Sequence, residues 1–277
     1  MSLSICTISF RHHLQSIDQI AKWAQFLPID GIELWGVHAK NLKSSASYNK
    51  EWLQEYDLHV SMISDYLPLH LSAPELIKVT RELSQLANRW GTKKIRTFAG
   101  QKGSAETNEN ERAQLVEKLH IICKQLAEEG QLLLLETHPQ TLTDNVESTL
   151  RLLEEVDHPA LKVNFDVLHI WESGADPIEA FHTLQPWIHH FHFKNISSKE
   201  KLTVFNPANV YAAAGSRDGM VPLFEGLIDF EAFIDYVSSH TNIDASLEWF
   251  GGSVQSILAE DAYKIAQLHK GIQKKVI

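Results

Sequence analysis

The stretch Leu132–Asp144 reads LLLLETHPQTLTD, and its reading decides the fold. Four consecutive leucines fit a short strand buried on both faces, as in a parallel sheet covered by helices. Glu136 and His138 leave that run two residues apart, so on a strand they point to one side. Leu133, Leu135 and Thr137 face the other way, toward the helices.

Outward from this segment the same rhythm repeats. LSICTISF, GIELWG, HVSMISDY, KKIRTFAG, LKVNFDVLHIW, HHFHFKN and DASLEWF read as further strands. Amphipathic helical patterns separate them, including PELIKVTRELSQLANRW, ERAQLVEKLHIICKQLAEEG and ESTLRLLEEV. Gly91 and Gly130 stand where helices end, and Asp176-Pro177 offers an N-cap followed by proline. Eight alternating units predict an α/β protein, a single-domain (β/α)8 TIM barrel spanning residues 1–277. The second unit is the weakest, because AKNLKSSASYNKEWLQEYD is only partly helical in pattern. A long lid-like loop at 196–226 interrupts the series after the seventh strand. Its Phe205, Val210, Tyr211, Met220, Leu223 and Phe224 predict a packed cover over the C-terminal ends of the strands.

The bulk numbers narrow the function classes. The 277 residues are 44% hydrophobic and 22% charged, ordinary for a soluble globular chain. A formal net charge of -10 with no basic patch speaks against a nucleic-acid partner. No apolar run approaches the ~20 residues that span a bilayer. The N-terminal MSLSICTISFRHH lacks the marks of a signal peptide. The two cysteines, Cys6 and Cys123, are far apart and read as reduced thiols. A cytoplasmic location is therefore expected, and the oligomeric state, a homo-oligomer included, stays open.

Four consecutive predicted strands carry polar groups toward their C-terminal ends. Glu136 and His138 lie on the fifth; Asn164 and Asp166, followed by His169, on the sixth. His190, His192 and Lys194 share one face of the seventh, with Phe191 and Phe193 on the other. Glu248 comes from the eighth. Charges buried together cost several kcal/mol each unless a cation compensates them. Glu136, Asp166, His192 and Glu248 would offer three carboxylates and one imidazole, a set that suits Mn²⁺ or Mg²⁺ better than structural zinc. Arg96 and Lys194 point into the same interior. His138 and His169 are candidate bases, and Tyr66, Trp171 and Tyr211 could wall a cyclic substrate. The chain has no P-loop, GxSxG, paired Cys/His motif or strand-borne GxGxxG, so nucleotide and acyl-transfer chemistries lack their marks.

The Glu/Asp/His/Glu series resembles the xylose-isomerase-like barrel superfamily of sugar isomerases, epimerases and lyases. CTISFRH, GIELWG, MISDYL, KIRTFAGQKGSA, LLETHPQTLTD, LHIWESGADP, HFKNISS, NVYAAAG, GMVPLFEG and SLEWF are similar, in order, to the 3-dehydroshikimate dehydratases of petrobactin siderophore biosynthesis. The resemblance implies a lyase that forms 3,4-dihydroxybenzoate (protocatechuate) with a divalent metal, Mn²⁺ ahead of Mg²⁺ or Co²⁺. It implies Glu136, Asp166, His192 and Glu248 as metal ligands, with Arg96, His138, Lys194 and the aromatics lining the pocket. The wider family often places its base three residues after the metal-binding aspartate, here His169, so His138 and His169 both stand. Arg96 or Arg217 would hold the substrate carboxylate bidentately. The main rival is a sugar or inosose isomerase with the same metal set. A repair nuclease would need more histidines and a basic groove, and a non-catalytic binding protein would not need the full ligand set.

Overall fold

The computed structural model describes the backbone of residues 1–275 and the side chains of residues 1–268. Eight parallel strands close into a ring: β1 (Leu3–Cys6), β2 (Gly31–Trp35), β3 (His59–Ser64), β4 (Lys94–Thr97), β5 (Leu132–Glu136), β6 (Leu161–Asp166), β7 (Ile188–Phe193) and β8 (Asp244–Leu247). Neighbours in sequence pair in order, and β1 closes the ring on β8 through Leu3↔Ala245 and Ile5↔Leu247. Helices cross between the strands, as parallel pairing requires. The second crossover is two short helices, Gly36–Asn41 and Lys50–Gln54, matching its broken pattern.

Local signals explain the boundaries. Ser16 opens the helix Ile17–Ala24 with a reciprocal pair to Gln19 (3.3 and 2.8 Å), and Asn108 does the same with Glu111 for Glu109–Ala127. Gly91 ends the helix Ala73–Trp90 at φ 71°, a left-handed conformation that glycine adopts without strain. Two boundaries differ from the sequence reading. LSICTISF is a strand only to Cys6, and Thr7–Phe10 is a 3₁₀ turn. LKVNFDVLHIW is a strand only to Asp166; Val167–Glu172 is helical. The Asp166 carboxylate accepts from the His169 amide at 3.2 Å and so turns the chain into that helix.

Each strand divides the interior in two. Ile32, Leu34, Leu133, Leu135, Phe165, Phe191 and Phe193 face outward into an apolar layer between barrel and helices. Phe191 and Phe193 meet Phe233 of the helix Phe230–His240 at ring distances of 5.8 and 6.3 Å. The lumen is polar instead: Ser4, Glu33, Ser64, Arg96, Glu136, Asn164, Asp166, His190, His192 and Ser246 are buried there.

The segment after β7 folds over the C-terminal mouth. Asn195–Ile196 pairs antiparallel with Met220–Val221, and between them lie a 3₁₀ turn (Lys199–Phe205) and a short helix (Pro207–Tyr211). The Asn195 amide donates to the carbonyls of Leu223 and Ile228 at 2.7 and 2.8 Å. A Cβ on Gly226 would lie 2.2 Å from that amide, so no other residue fits there without a shift. Arg11 donates from Nε to the Val210 carbonyl at 2.9 Å, and the Asp261 carboxylate accepts from the Leu223 amide at 3.1 Å. The cover is thus tied at three points. Among the described residues, no helix is long and apolar enough to cross a membrane.

Candidate active site

The residues after β5 show why the opening stretch folds as it does. Past Glu136 the chain wraps on itself: Thr143 Oγ1 donates to the Glu136 carbonyl at 2.6 Å, and Thr141 Oγ1 donates to the His138 carbonyl at 2.7 Å. These bonds satisfy a backbone that leaves the sheet while still buried. They hold Glu136 at the strand end and His138 just above it.

Glu136, Asp166, His192 and Glu248 converge. His192 Nδ1 lies 3.6 Å from Glu136 Oε1, 3.8 Å from Asp166 Oδ2 and 3.6 Å from Glu248 Oε1. It is buried and makes no hydrogen bond to the protein. Donor atoms of Glu136, Asp166 and His192 all fall within 4.8 Å of one another. Ligands about 2.1 Å from one ion stand roughly 3 to 3.5 Å apart at tetrahedral or octahedral angles, so a modest contraction would suit a divalent metal. The donors are oxygen-rich with one nitrogen, as hard divalent ions prefer.

Two cations flank the cluster. Arg96 Nε forms an ion pair with Glu136 Oε2 at 2.9 Å, and its Nη1 is buried with no protein partner. Lys194 Nζ donates to Asp166 Oδ2 at 2.5 Å and Glu248 Oε2 at 2.8 Å. Burial opposes the charge on Lys194, but Asp166, Glu248 and Glu136 outweigh it and hold its pKa well above the ordinary value. Burial would raise the pKa of Glu136, yet Arg96 and His192 pull it well below the carboxylate range. Asp166 is likewise depressed, against its burial, by Lys194 and His169.

His138 and His169 sit side by side, ring centroids 4.5 Å apart. His138 Nδ1 lies 2.7 Å from the Pro139 carbonyl, so it carries the hydrogen and Nε2 keeps its lone pair. Burial, then neighbouring His169, pushes the His138 pKa down to about 3. His169 Nδ1 is instead held by Glu172 at 2.8 Å, and its Nε2 is 3.9 Å from Asp166 Oδ2.

Tyr66, Arg96, Glu136, His138, His169, Lys194, Tyr211 and Glu248 all line one inner pocket of about 40 Å³. Tyr66, Phe98, His138 and Tyr211 also wall an outer, mostly apolar cavity of about 870 Å³. The hydroxyls of Tyr66 and Tyr211 bond to each other between the two. Trp171 and Arg217 are not brought to this cluster. Trp171 lies under the Lys199 ammonium, 5.0 Å from its ring centre, and Arg217 spends its donors on the carbonyls of Asn209, Ala212 and Ser216. The sequence reading also passed over Glu33, which is fully buried and contacts His192 from the far side. A lone carboxylate inside the apolar strand GIELWG was the available signal.

A closed parallel barrel with carboxylates and one histidine converging at its C-terminal mouth marks a class of barrel proteins able to hold a divalent ion there. The chain belongs to the xylose isomerase-like TIM-barrel family, whose model matches residues 21–271. It is 52% identical over 264 residues to a 3-dehydroshikimate dehydratase of Bacillus anthracis, covering 93% of this chain and 94% of that protein. The crystal structure of the probable 3-DHS dehydratase AsbF, involved in petrobactin synthesis in Bacillus anthracis, superposes with a TM-score of 0.92 at 50% identity, covering 96% of this chain and 99% of that one. A xylose isomerase-like barrel from Mycobacterium smegmatis in complex with magnesium shares the fold at 17% identity and TM-score 0.68, covering 98% and 97%.

Proposed function

We infer that this chain dehydrates 3-dehydroshikimate to 3,4-dihydroxybenzoate and water, using Mn²⁺. The observation that carries the reading is the convergence of Glu136, Asp166 and Glu248 on the unpartnered His192 Nδ1, in a chain 52% identical to a 3-dehydroshikimate dehydratase. The relative's place in petrobactin synthesis supports a siderophore destination for the product. Two buried, unpaired cysteines agree with a cytoplasmic enzyme.

Glu136, Asp166, His192 and Glu248 would hold the ion, which when bound polarises the C3 ketone and acidifies the C4 proton. His138 takes that proton: its tautomer leaves the Nε2 lone pair free, and it is neutral at working pH. Expulsion of the C5 hydroxyl follows, with the Lys194 ammonium, anchored between Asp166 and Glu248, facing the developing negative charge. Loss of a proton from C6 then completes the aromatic ring. Arg96 offers its unpaired Nη1 to a substrate oxygen, and Tyr66 and Tyr211 cover the ring. His169, oriented by Glu172, supports the Asp166 side of the site.

Ultraviolet absorbance of chelator-stripped protein with 3-dehydroshikimate, before and after Mn²⁺, tests this directly. A metal-dependent 3,4-dihydroxybenzoate band is expected, and its absence with every divalent ion in folded protein would end the reading. His138→Ala should lower kcat by about 10²- to 10⁴-fold. A full rate in that variant would move the base to His169.

A further inference from the structure

We infer that Glu33, on β2, is a positioning residue for the metal site: it grips His192 from behind and presents Nδ1 to Glu136, Asp166 and Glu248. The inference rests on the metal-bound reading above. Glu33 Oε2 lies 2.9 Å from His192 Nε2 and Oε1 lies 3.1 Å from it, both ordinary hydrogen-bond distances. A carboxylate can only accept, so Nε2 must donate; when a metal displaces the other ring proton, the lone pair that binds it sits on Nδ1. That is the nitrogen left without a protein partner among three carboxylates.

Glu33 is itself fixed. The Ser64 hydroxyl donates to it, the Cys6 thiol lies 3.4 Å away, and His190 Nε2 is 3.4 Å away while bonded to Ser246 Oγ at 2.7 Å. The register between β2 and β3 shifts between Ile32 and Glu33, the kind of local irregularity that re-aims a side chain near a site. None of these contacts lines the pocket; of the four proposed ligands, His192 is the one Glu33 hydrogen-bonds.

Charge supplies a second, independent argument. Glu33, Glu136, Asp166 and Glu248 face two permanent cations in the lumen, Arg96 and Lys194. Glu33 thus adds to a surplus of buried negative charge that a divalent ion would help offset.

The test is titration of chelator-stripped protein with Mn²⁺ alone, without substrate. Glu33→Gln keeps the shape and should weaken Mn²⁺ binding about 10- to 100-fold, as loss of an outer carboxylate partner does elsewhere. Its unfolding midpoint in EDTA should stay near that of the parent. The visible spectrum of the Co²⁺-loaded variant should shift, since a neutral amide behind the imidazole makes it a weaker donor to the metal. Ser64→Ala, which loosens Glu33 without touching a ligand, should weaken Mn²⁺ binding several-fold and serves if Glu33→Gln does not fold. Parental Mn²⁺ affinity in both variants would overturn the inference, as would lost stability in EDTA with unchanged affinity. Parent protein that binds Mn²⁺ yet makes no 3,4-dihydroxybenzoate would break the dehydratase reading and leave this one standing.

Discussion

The lumen of the barrel and the layer around it are built from the same strands and obey opposite rules. On β7, Phe191 and Phe193 point out and meet Phe233 and Phe230 edge-to-face, while His190 and His192 point in and meet Glu33, Ser246 and the carboxylates at the mouth. The outer layer is stabilised by area removed from water, which is indifferent to which apolar neighbour supplies it. The lumen depends on pairing, where every charge needs a named partner. Stability should therefore be distributed around the outside, and function concentrated inside.

One substitution in each region separates the two rules. Phe191→Ala and Lys194→Met should each destabilise the protein by about 3–5 kcal/mol in EDTA, the first through a cavity and the second through stranded carboxylates. Mn²⁺ should recover much of the Lys194→Met loss and give Phe191→Ala no more than it gives the parent. Denaturant unfolding with and without metal measures both, and equal responses to Mn²⁺ would erase the distinction.

A smaller effect concerns the anchor of the cover. Burial raises the Asp261 pKa from 3.8 to about 6. The folded state therefore holds this proton more tightly than the unfolded chain. Its contribution is fully present below about pH 4 and is lost as pH rises through 6. Asp261→Asn, which keeps an acceptor for the Leu223 amide, should gain on the parent by about 1–3 kcal/mol between pH 4 and 7.5. A stability difference flat in pH would show that the carboxyl is already solvated. Smallest of all, Tyr211→Phe removes one hydroxyl bond to Tyr66 at the half-open mouth. It should cost under about 1.5 kcal/mol and change kcat only a few-fold.

The same division explains what could be read in the sequence. Period-two alternation exposed β5 to β8, because there a polar residue ends each apolar run: Glu136, Asp166, His192 and Glu248 were legible one strand at a time. Glu33 was not, since its meaning lies in His192, 159 positions along the chain. The end of β6 departs from its sequence pattern for a related reason. Asp166 looks like a residue within a strand, and its role as helix cap appears only when the His169 amide turns back to it. Trp171 and Arg217 had suitable chemistry, but tertiary direction, which composition does not carry, sent both elsewhere.

The closure of β1 on β8 has a consequence for how the enzyme comes to exist in time. Chains emerge from the ribosome N-terminus first and begin folding as they do. Glu33 and Glu136 are thus in place long before Glu248, and the edges of β1 and β7 stay open until β8 arrives between them. Such edges invite pairing with other chains. In the reading proposed above, a metal would enter only at the end of folding, when one short strand seals the ring and brings in Glu248. Synthesis interrupted just before residue 244 would leave a chain with two sticky edges and without Glu248.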